Sequence, residues 1–307
     1  MYYFIINPNS RSGTGLRIWR QLEQQLKNQQ ISYQAYLTEY VGHARKLAHA
    51  LSDSAVPRTI VVLGGDGTVN EVLDGLILSD HITLGYIPAG SGNDFARGLG
   101  IPQNPRKALD CILHHGQIRE IRLGQVKADG KTHRFGTSTG IGYDASICHE
   151  NLSSPLKKML NRLHLGKLSY VLIGIRQFFL WKPAAVTLYL DDRRRLFFPK
   201  TYFAAAMNLP CEGGGFRFCP KASPDTPYLD VCVAENITKG KFICLLPLAF
   251  FGRHTRFQGV HLYRCRKLVI QSAVLLPVHR DGESGGYQSE LIINLENMPL
   301  KVIVPVI

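Results

Sequence analysis

Two glycine-rich loops, each directly behind a short apolar run, constrain this chain more than anything else in it. The first is Gly64-Gly65-Asp66-Gly67-Thr68, after Thr59-Ile60-Val61-Val62-Leu63. The second is Pro88-Ala89-Gly90-Ser91-Gly92-Asn93-Asp94-Phe95-Ala96-Arg97, after Thr83 to Ile87. An apolar run without alternation reads as a strand covered on both faces, as in a parallel sheet. Glycines between such a strand and a helix let the backbone turn sharply and approach a ligand closely. The free N–H groups of the following helix can bind phosphate. Asp66 then stands at the carboxyl edge of the sheet, where α/β proteins place ligands. Capping of a helix by Asn93 or Asp94 would explain one polar residue but not the cluster. The two loops are therefore expected to converge on one crevice. Neither is a Walker A loop or a dinucleotide G-x-G-x-x-G after a first strand, and Gly13-Thr14-Gly15 lacks the rest of either pattern.

The surrounding pattern fits that expectation. Tyr2 to Ile6 and Tyr33 to Leu37 read as strands. Leu16 to Lys27 has helical spacing, with Leu16, Trp19, Leu22 and Leu26 on one face. The helices Ala44 to Leu51, Asn70 to Leu78, one starting over Asp94 to Gly98, and Pro105 to His115 complete an alternation of strand and helix. This predicts a parallel sheet with helices on both faces. After about residue 120 strand-like segments dominate, among them Thr201 to Met207, Tyr228 to Ala234, Lys267 to Gln271 and Leu291 to Leu295. A length of 307 residues suits two domains. Their expected extents are 1–124 and 125–290, with the last segment, about 291–307, able to return to the first domain.

The chain carries 36 Lys and Arg against 23 Asp and Glu, a net charge of +13, which favours a polyanionic partner of some kind. The basic clusters lack interleaved aromatics for stacking bases, so nucleic acid is not the expected partner. The seven cysteines are scattered and form no C-x-x-C pair, which speaks against a disulfide framework or a zinc site and for a cytoplasmic protein. Pro8 interrupts the N-terminal apolar run too early for a signal peptide. The longest apolar stretches, Leu168 to Trp181 and Phe242 to Phe251, are shorter than the roughly 20 residues a membrane-spanning helix needs. Any membrane contact is expected to be peripheral. From Glu150 to Asp191 no acidic residue intervenes, and Leu156, Met159, Leu160 and Leu163 share a helical face that leaves Lys157, Lys158 and Arg162 outside it. A basic amphipathic helix there is expected either to dock on an anionic membrane or to pack with a solvated basic face.

Asn7-Pro8-Asn9-Ser10 with Gly13, the G-G-D-G-T loop and the G-S-G-N-D-F-A-R loop together resemble the bacterial soluble diacylglycerol kinase family, which is related to sphingosine and ceramide kinases and more distantly to NAD kinases. Later landmarks fall in the same order: Gly140-Ile141-Gly142-Tyr143-Asp144, Met207-Asn208 with Gly213-Gly214-Gly215-Phe216, and Asp281-Gly282-Glu283. The resemblance implies a Rossmann-like N-terminal domain, a C-terminal β-sandwich and an active site between them. It implies ATP and Mg2+, with Asp66 at the magnesium–ATP site. Asn9, Ser10, Thr38, Gly64, Gly65, Gly67, Thr68, Gly90, Ser91, Gly92 and Asn93 would form the nucleotide site. Glu283 would be the general base that accepts the proton of a lipid hydroxyl, although Asp281-Gly282 is also a common hairpin turn. A structural metal in relatives maps to Asp225, Tyr228 and Asp230, where Thr226-Pro227 replaces the usual Asp-Gly pair. Relatives are often dimers, so a homodimer is implied. The expected reaction is phosphorylation of a lipid hydroxyl, diacylglycerol first. Two alternatives stand beside it: a soluble kinase of NAD type, and a non-catalytic regulator that binds nucleotide or lipid.

Overall fold

A computed structural model describes residues 1–128, 130–153, 174 and 176–306. The amphipathic segment with Leu156, Lys157, Lys158, Met159, Leu160, Arg162 and Leu163 lies outside the described residues. The chain divides into two compact units. One is Met1–Leu123 with Glu296–Ile307, and the other is Gly124–Leu295.

The first unit is built on a six-stranded sheet. In chain order it contributes β1 (Tyr2–Ile6), α1 (Ser10–Gly13), α2 (Gly15–Asn28), β2 (Tyr33–Leu37), α3 (His43–Ser52), β3 (Arg58–Gly64), α4 (Asp66–Gly75), β4 (Ile82–Pro88), α5 (Asp94–Gly98), α6 (Pro105–Asp110) and β5 (Gly116–Ile121). The order across the sheet is β2-β1-β3-β4, then a strand from the C-terminus, Leu300–Pro305, then β5. The pairings from β2 to the C-terminal strand are parallel, and β5 is an antiparallel edge. The run Ile60 to Leu63 is fully buried, as are Phe4 to Ile6, which accounts for their unbroken apolar character. The predicted stripe Trp19, Leu22 and Leu26 is the buried face of α2. Two elements start or end differently from their sequence pattern. Helix α4 begins at Asp66 rather than Asn70, because the glycine loop itself supplies its first turn. The predicted helix from Pro105 to His115 is α-helical only to Asp110 and continues as a π turn through Cys111–His115.

The second unit is β-rich. It comprises β6 (Gly124–Ala128), β7 (Lys131–Phe135), β8 (Ser138–Gly142), α7 (Tyr143–Ser153), β9 (Ala184–Leu190), β10 (Arg194–Met207), β11 (Leu229–Glu235), α8 (Lys239–Phe250), β12 (Val260–Cys265), β13 (Lys267–Arg280) and β14 (Glu283–Leu295). The C-terminal strand of the first unit is β15 (Leu300–Pro305). Strands β10 and β13 are long enough to serve two neighbourhoods. Their outer halves pair with β9, and their inner halves pair with β8. Register shifts at Phe198/Thr201 and Gln271/Leu276 mark the bends, as bulges do where a sheet changes direction. Two apolar clusters result among the described residues. One is centred on Leu188, Val231, Leu268 and Ile293, and the other on Phe178, Tyr202, Met207 and Leu245.

Candidate active site

The order β2-β1-β3-β4 reverses direction between β1 and β3, because β1 leads outward to β2 on one side and on to β3 on the other. Such a switch point opens a crevice at the carboxyl ends of the strands. The segment after β1 and the loop after β3 meet there. Asn7 Nδ2 donates to Thr68 Oγ1 at 2.9 Å, and the Asn7 side-chain oxygen accepts from the Asn9 N–H at 2.9 Å. Ser10 is buried, and its Oγ has no hydrogen-bond partner among the described residues. Thr38 closes the end of β2 by donating its N–H to the Ile6 carbonyl at 2.8 Å.

The two glycine loops are in direct contact. A methyl group built on Gly90 would stand 2.6 Å from Gly65 Cα, and one on Gly65 would stand 3.1 Å from Gly90 Cα. Only residues without Cβ permit that approach. The Ala89 N–H donates to the Gly64 carbonyl at 2.7 Å, and the Tyr86 hydroxyl donates to the same oxygen at 3.2 Å. Asp66 is the latch between the loops. One carboxylate oxygen accepts from the Asn93 N–H at 2.7 Å, and the other accepts from the Asp94 N–H at 2.7 Å. Charged acceptors of this kind are worth about 1.5–3 kcal/mol each. Asn93 sits in the left-handed region with φ +53° and does not cap α5. Its side chain closes the loop instead, accepting from the Gly90 N–H at 2.8 Å and donating to the Gly90 carbonyl at 3.2 Å. The convergence expected from the sequence is present, with one difference. Backbone contact leaves no room for a triphosphate between Gly65 and Gly90.

In the second unit the Asp281-Gly282 pair is a hairpin turn between β13 and β14, with φ values of +49° and +81°. It is more than a turn. The Asp281 carboxylate accepts three backbone N–H groups, from Gly136 at 2.8 Å, Thr137 at 2.7 Å and Ser138 at 3.0 Å. This fixes the start of β14, and Glu283, half-buried, is its first residue.

Beside that turn lies a buried constellation to which the sequence assigned no role. His279 Nε2 is 3.1 Å from Asp144 Oδ2 and 3.9 Å from Glu212 Oε2. All three residues are buried. Gly140 leaves the space they need, since a Cβ there would come within 2.7 Å of Asp144 Oδ2 and 2.9 Å of His279 Nε2. Burial pushes the Glu212 carboxyl up to about 7; His279 pulls it down and Asp144 pushes it further up. Burial works against the charge on His279, but the Glu212 and Asp144 carboxylates outweigh it and carry the imidazole up to about 9. The Cys148 thiol on α7 is pushed well up by desolvation, then by Glu212, Asp144 and Glu283. Glu283 therefore shares one electrostatic neighbourhood with the cluster. The signal in the sequence was the isolated Asp144 behind Gly140-Ile141-Gly142 and the isolated Glu212 before three glycines. A pattern of spacings cannot show that two such positions meet.

Each of the three residues expected to hold a structural metal has a contact of another kind. Asp230 gives both carboxylate oxygens to the Arg264 guanidinium, at 3.1 and 3.0 Å. The Arg266 guanidinium lies 5.3 Å from the centre of the Tyr228 ring, and Asp225 accepts from the Ser223 hydroxyl at 3.1 Å.

Comparison with known proteins shows the family. Residues 1–126 match the diacylglycerol kinase catalytic domain. Residues 140–304 match the YegS C-terminal NAD kinase beta sandwich-like domain. The chain belongs to the diacylglycerol kinase family. It is 32% identical over 295 residues to YtlR of Bacillus subtilis, a candidate lipid kinase, covering 93% of this chain and 94% of that protein. It is 29% identical over 296 residues to the diacylglycerol kinase of the same organism, covering 95% of this chain and 92% of that one. Its fold is that of a candidate diacylglycerol kinase from Bacillus anthracis, with a TM-score of 0.77 across 99% of this chain and 97% of that one at 24% identity. The diacylglycerol kinase family member described here is accordingly an ATP-dependent lipid kinase, and its likeness to NAD kinases is distant.

Proposed function

We propose that the chain transfers the γ-phosphoryl group of ATP to the free hydroxyl of diacylglycerol, giving phosphatidic acid and ADP. The observation that carries this reading is the joint between the two glycine loops at the switch point, with Asp66 bonded across it. Phosphoryl transfer demands positioning and charge neutralisation more than covalent chemistry from the protein. The rim of Gly64, Gly65, Gly67, Thr68, Gly90, Ser91, Gly92 and Asn93 surrounds the open end of α4, which favours a polyphosphate. Asn9, Ser10 and Thr38 frame the neighbouring strand ends, and the buried Ser10 hydroxyl is an orphan that a ligand would satisfy.

The residues present also fit Mg2+. Asp66 is a hard oxygen donor of the kind Mg2+ prefers, and it stands at the joint of the two loops. The ion would supply neutralisation of the phosphate charge. Glu283 accepts the proton of the attacking lipid hydroxyl, and the Asp281 turn holds it in place. The acceptor reaches the enzyme from a membrane, since diacylglycerol has no appreciable life in water.

The test is label transfer from ATP in mixed micelles to a panel of acceptors: diacylglycerol, a sphingoid base, a monoacylglycerol, a polyprenol and, outside the lipids, NAD. Label in diacylglycerol above the others is the expected result. Preferential labelling of NAD would replace this reading with the soluble-kinase alternative.

A further inference from the structure

The apolar run from Phe242 to Phe251 forms most of helix α8 (Lys239–Phe250), and nothing in the proposed chemistry uses it. Its composition is unusual for a surface helix. After Lys241 no charged or hydrogen-bonding polar side chain follows through Phe251. A helix that is apolar all round is normally buried. This one is anchored by Leu245 and Ala249, each 5% exposed, while Cys244, Pro247, Phe250 and Phe251 face outward. Phe250 is 48% and Phe251 67% exposed. Spacing of three and four residues from Lys241 through Cys244 and Pro247 to Phe251 makes these one stripe.

The stripe continues onto a neighbouring segment. Lys239 donates from Nζ to the Phe179 carbonyl at 3.1 Å and lies 5.4 Å from the centre of its ring. Phe179 and Leu180 are 47% and 62% exposed, although the adjoining Phe178 is core.

Charge around the stripe is one-sided. Between Asn236 and Arg280 the sequence has seven Lys and Arg and no Asp or Glu. Arg264 and Lys267 are paired with Asp230 and Asp192. Lys239, Lys241 and Arg253 have no ion pair among the described residues. Two lysines in the first turn of a helix also oppose its dipole, a placement that costs a few tenths of a kcal/mol or more unless an anion approaches. Exposed aromatics beside unpaired cations match a surface that is apolar below and anionic above. Among the described residues no helix is long and apolar enough to cross a membrane, and at 12 residues α8 spans only about 18 Å.

We propose that α8, with Phe179 and Leu180, is the face by which this domain docks on an anionic phospholipid bilayer. Phe250, Phe251 and Leu180 enter the headgroup boundary while Lys239, Lys241 and Arg253 meet lipid phosphates. The choice of a bilayer as partner rests on the lipid-kinase reading; the geometry of the face does not.

Flotation with vesicles of phosphatidylcholine, with and without phosphatidylglycerol, tests this without nucleotide. The wild-type chain should float with the anionic vesicles. Phe250→Asp/Phe251→Asp and Lys239→Glu/Lys241→Glu should each weaken that binding about tenfold or more, with the lysine variant losing the preference for phosphatidylglycerol. Phosphorylation of a short-chain, water-dispersed diacylglycerol should be unchanged in both. Phe251→Trp, a milder change, should show a blue shift of its emission on adding anionic vesicles. Unchanged flotation of both double variants, or no emission shift, overturns the docking face. So does a concentration-dependent dimer that the same substitutions dissolve, since a second copy would then be the occupant. Normal flotation in a chain that phosphorylates no lipid would leave the face standing and reject the kinase reading instead.

Discussion

Asp66 shows how a single residue can be legible in type and not in duty. Its place among glycines behind a buried strand marked it as functional from the sequence. That both of its oxygens would hold the next loop, through the Asn93 and Asp94 N–H groups, depends on tertiary placement across 27 and 28 positions. Asn93 was legible as polar loop chemistry, but it closes its own loop and leaves α5 uncapped. The Asp144–His279–Glu212 cluster was invisible for the same reason, since its members come from α7, β13 and a loop between. That cluster carries a pH prediction. Glu212 and His279 both bind protons more tightly in the folded state, at about 7 and about 9 against ordinary values of 4.5 and 6.5. A raised pKa adds stability at low pH that is lost as pH rises through the folded value. Glu212→Gln mimics the protonated carboxyl. Urea unfolding should therefore show wild type losing stability relative to this variant between about pH 5 and about pH 9, by on the order of 2 kcal/mol. A constant difference across that range would contradict the burial argument.

At the scale of elements, the apolar runs of β1, β3 and β4 and the stripe of α2 were readable because burial on both faces, or on one face of a helix, imposes a period. The second unit was harder. Its strands β10, β13 and β14 are 14, 14 and 13 residues long, where the sequence pattern marked only five- to seven-residue pieces. The reason is their bulges: a register shift flips the inward face and breaks the alternation partway along the strand. The β13–β14 turn is held from two sides. Asp281-Gly282 is a hairpin turn, and its carboxylate also ties β8 to that turn. The two roles separate on mutation. Asp281→Ala should cost on the order of 3 kcal/mol in thermal or urea unfolding, since three backbone donors lose one acceptor. Glu283→Gln should leave unfolding within about 0.5 kcal/mol of wild type while lowering kcat on the order of a hundredfold. Equal stability losses in the two variants would reduce Glu283 to a structural residue.

For the whole molecule, family membership, the parallel sheet at the switch point and the β-rich second unit agree on a lipid kinase. Net charge of +13 is consistent with work on anionic phosphates and anionic surfaces, but it distinguishes none of them. What decides the matter is the joint between the loops and whether a phosphoryl group passes from it to lipid. The direct measurement is the initial rate at which label from γ-labelled ATP enters chloroform-extractable lipid, for wild type and Asp66→Asn side by side with diacylglycerol as acceptor. The amide sets an N–H2 against a backbone N–H where a carboxylate oxygen accepted one, so the rate should fall on the order of a hundredfold while circular dichroism stays the same. Label that never reaches lipid with folded wild type, or an undiminished rate in Asp66→Asn, would contradict the account.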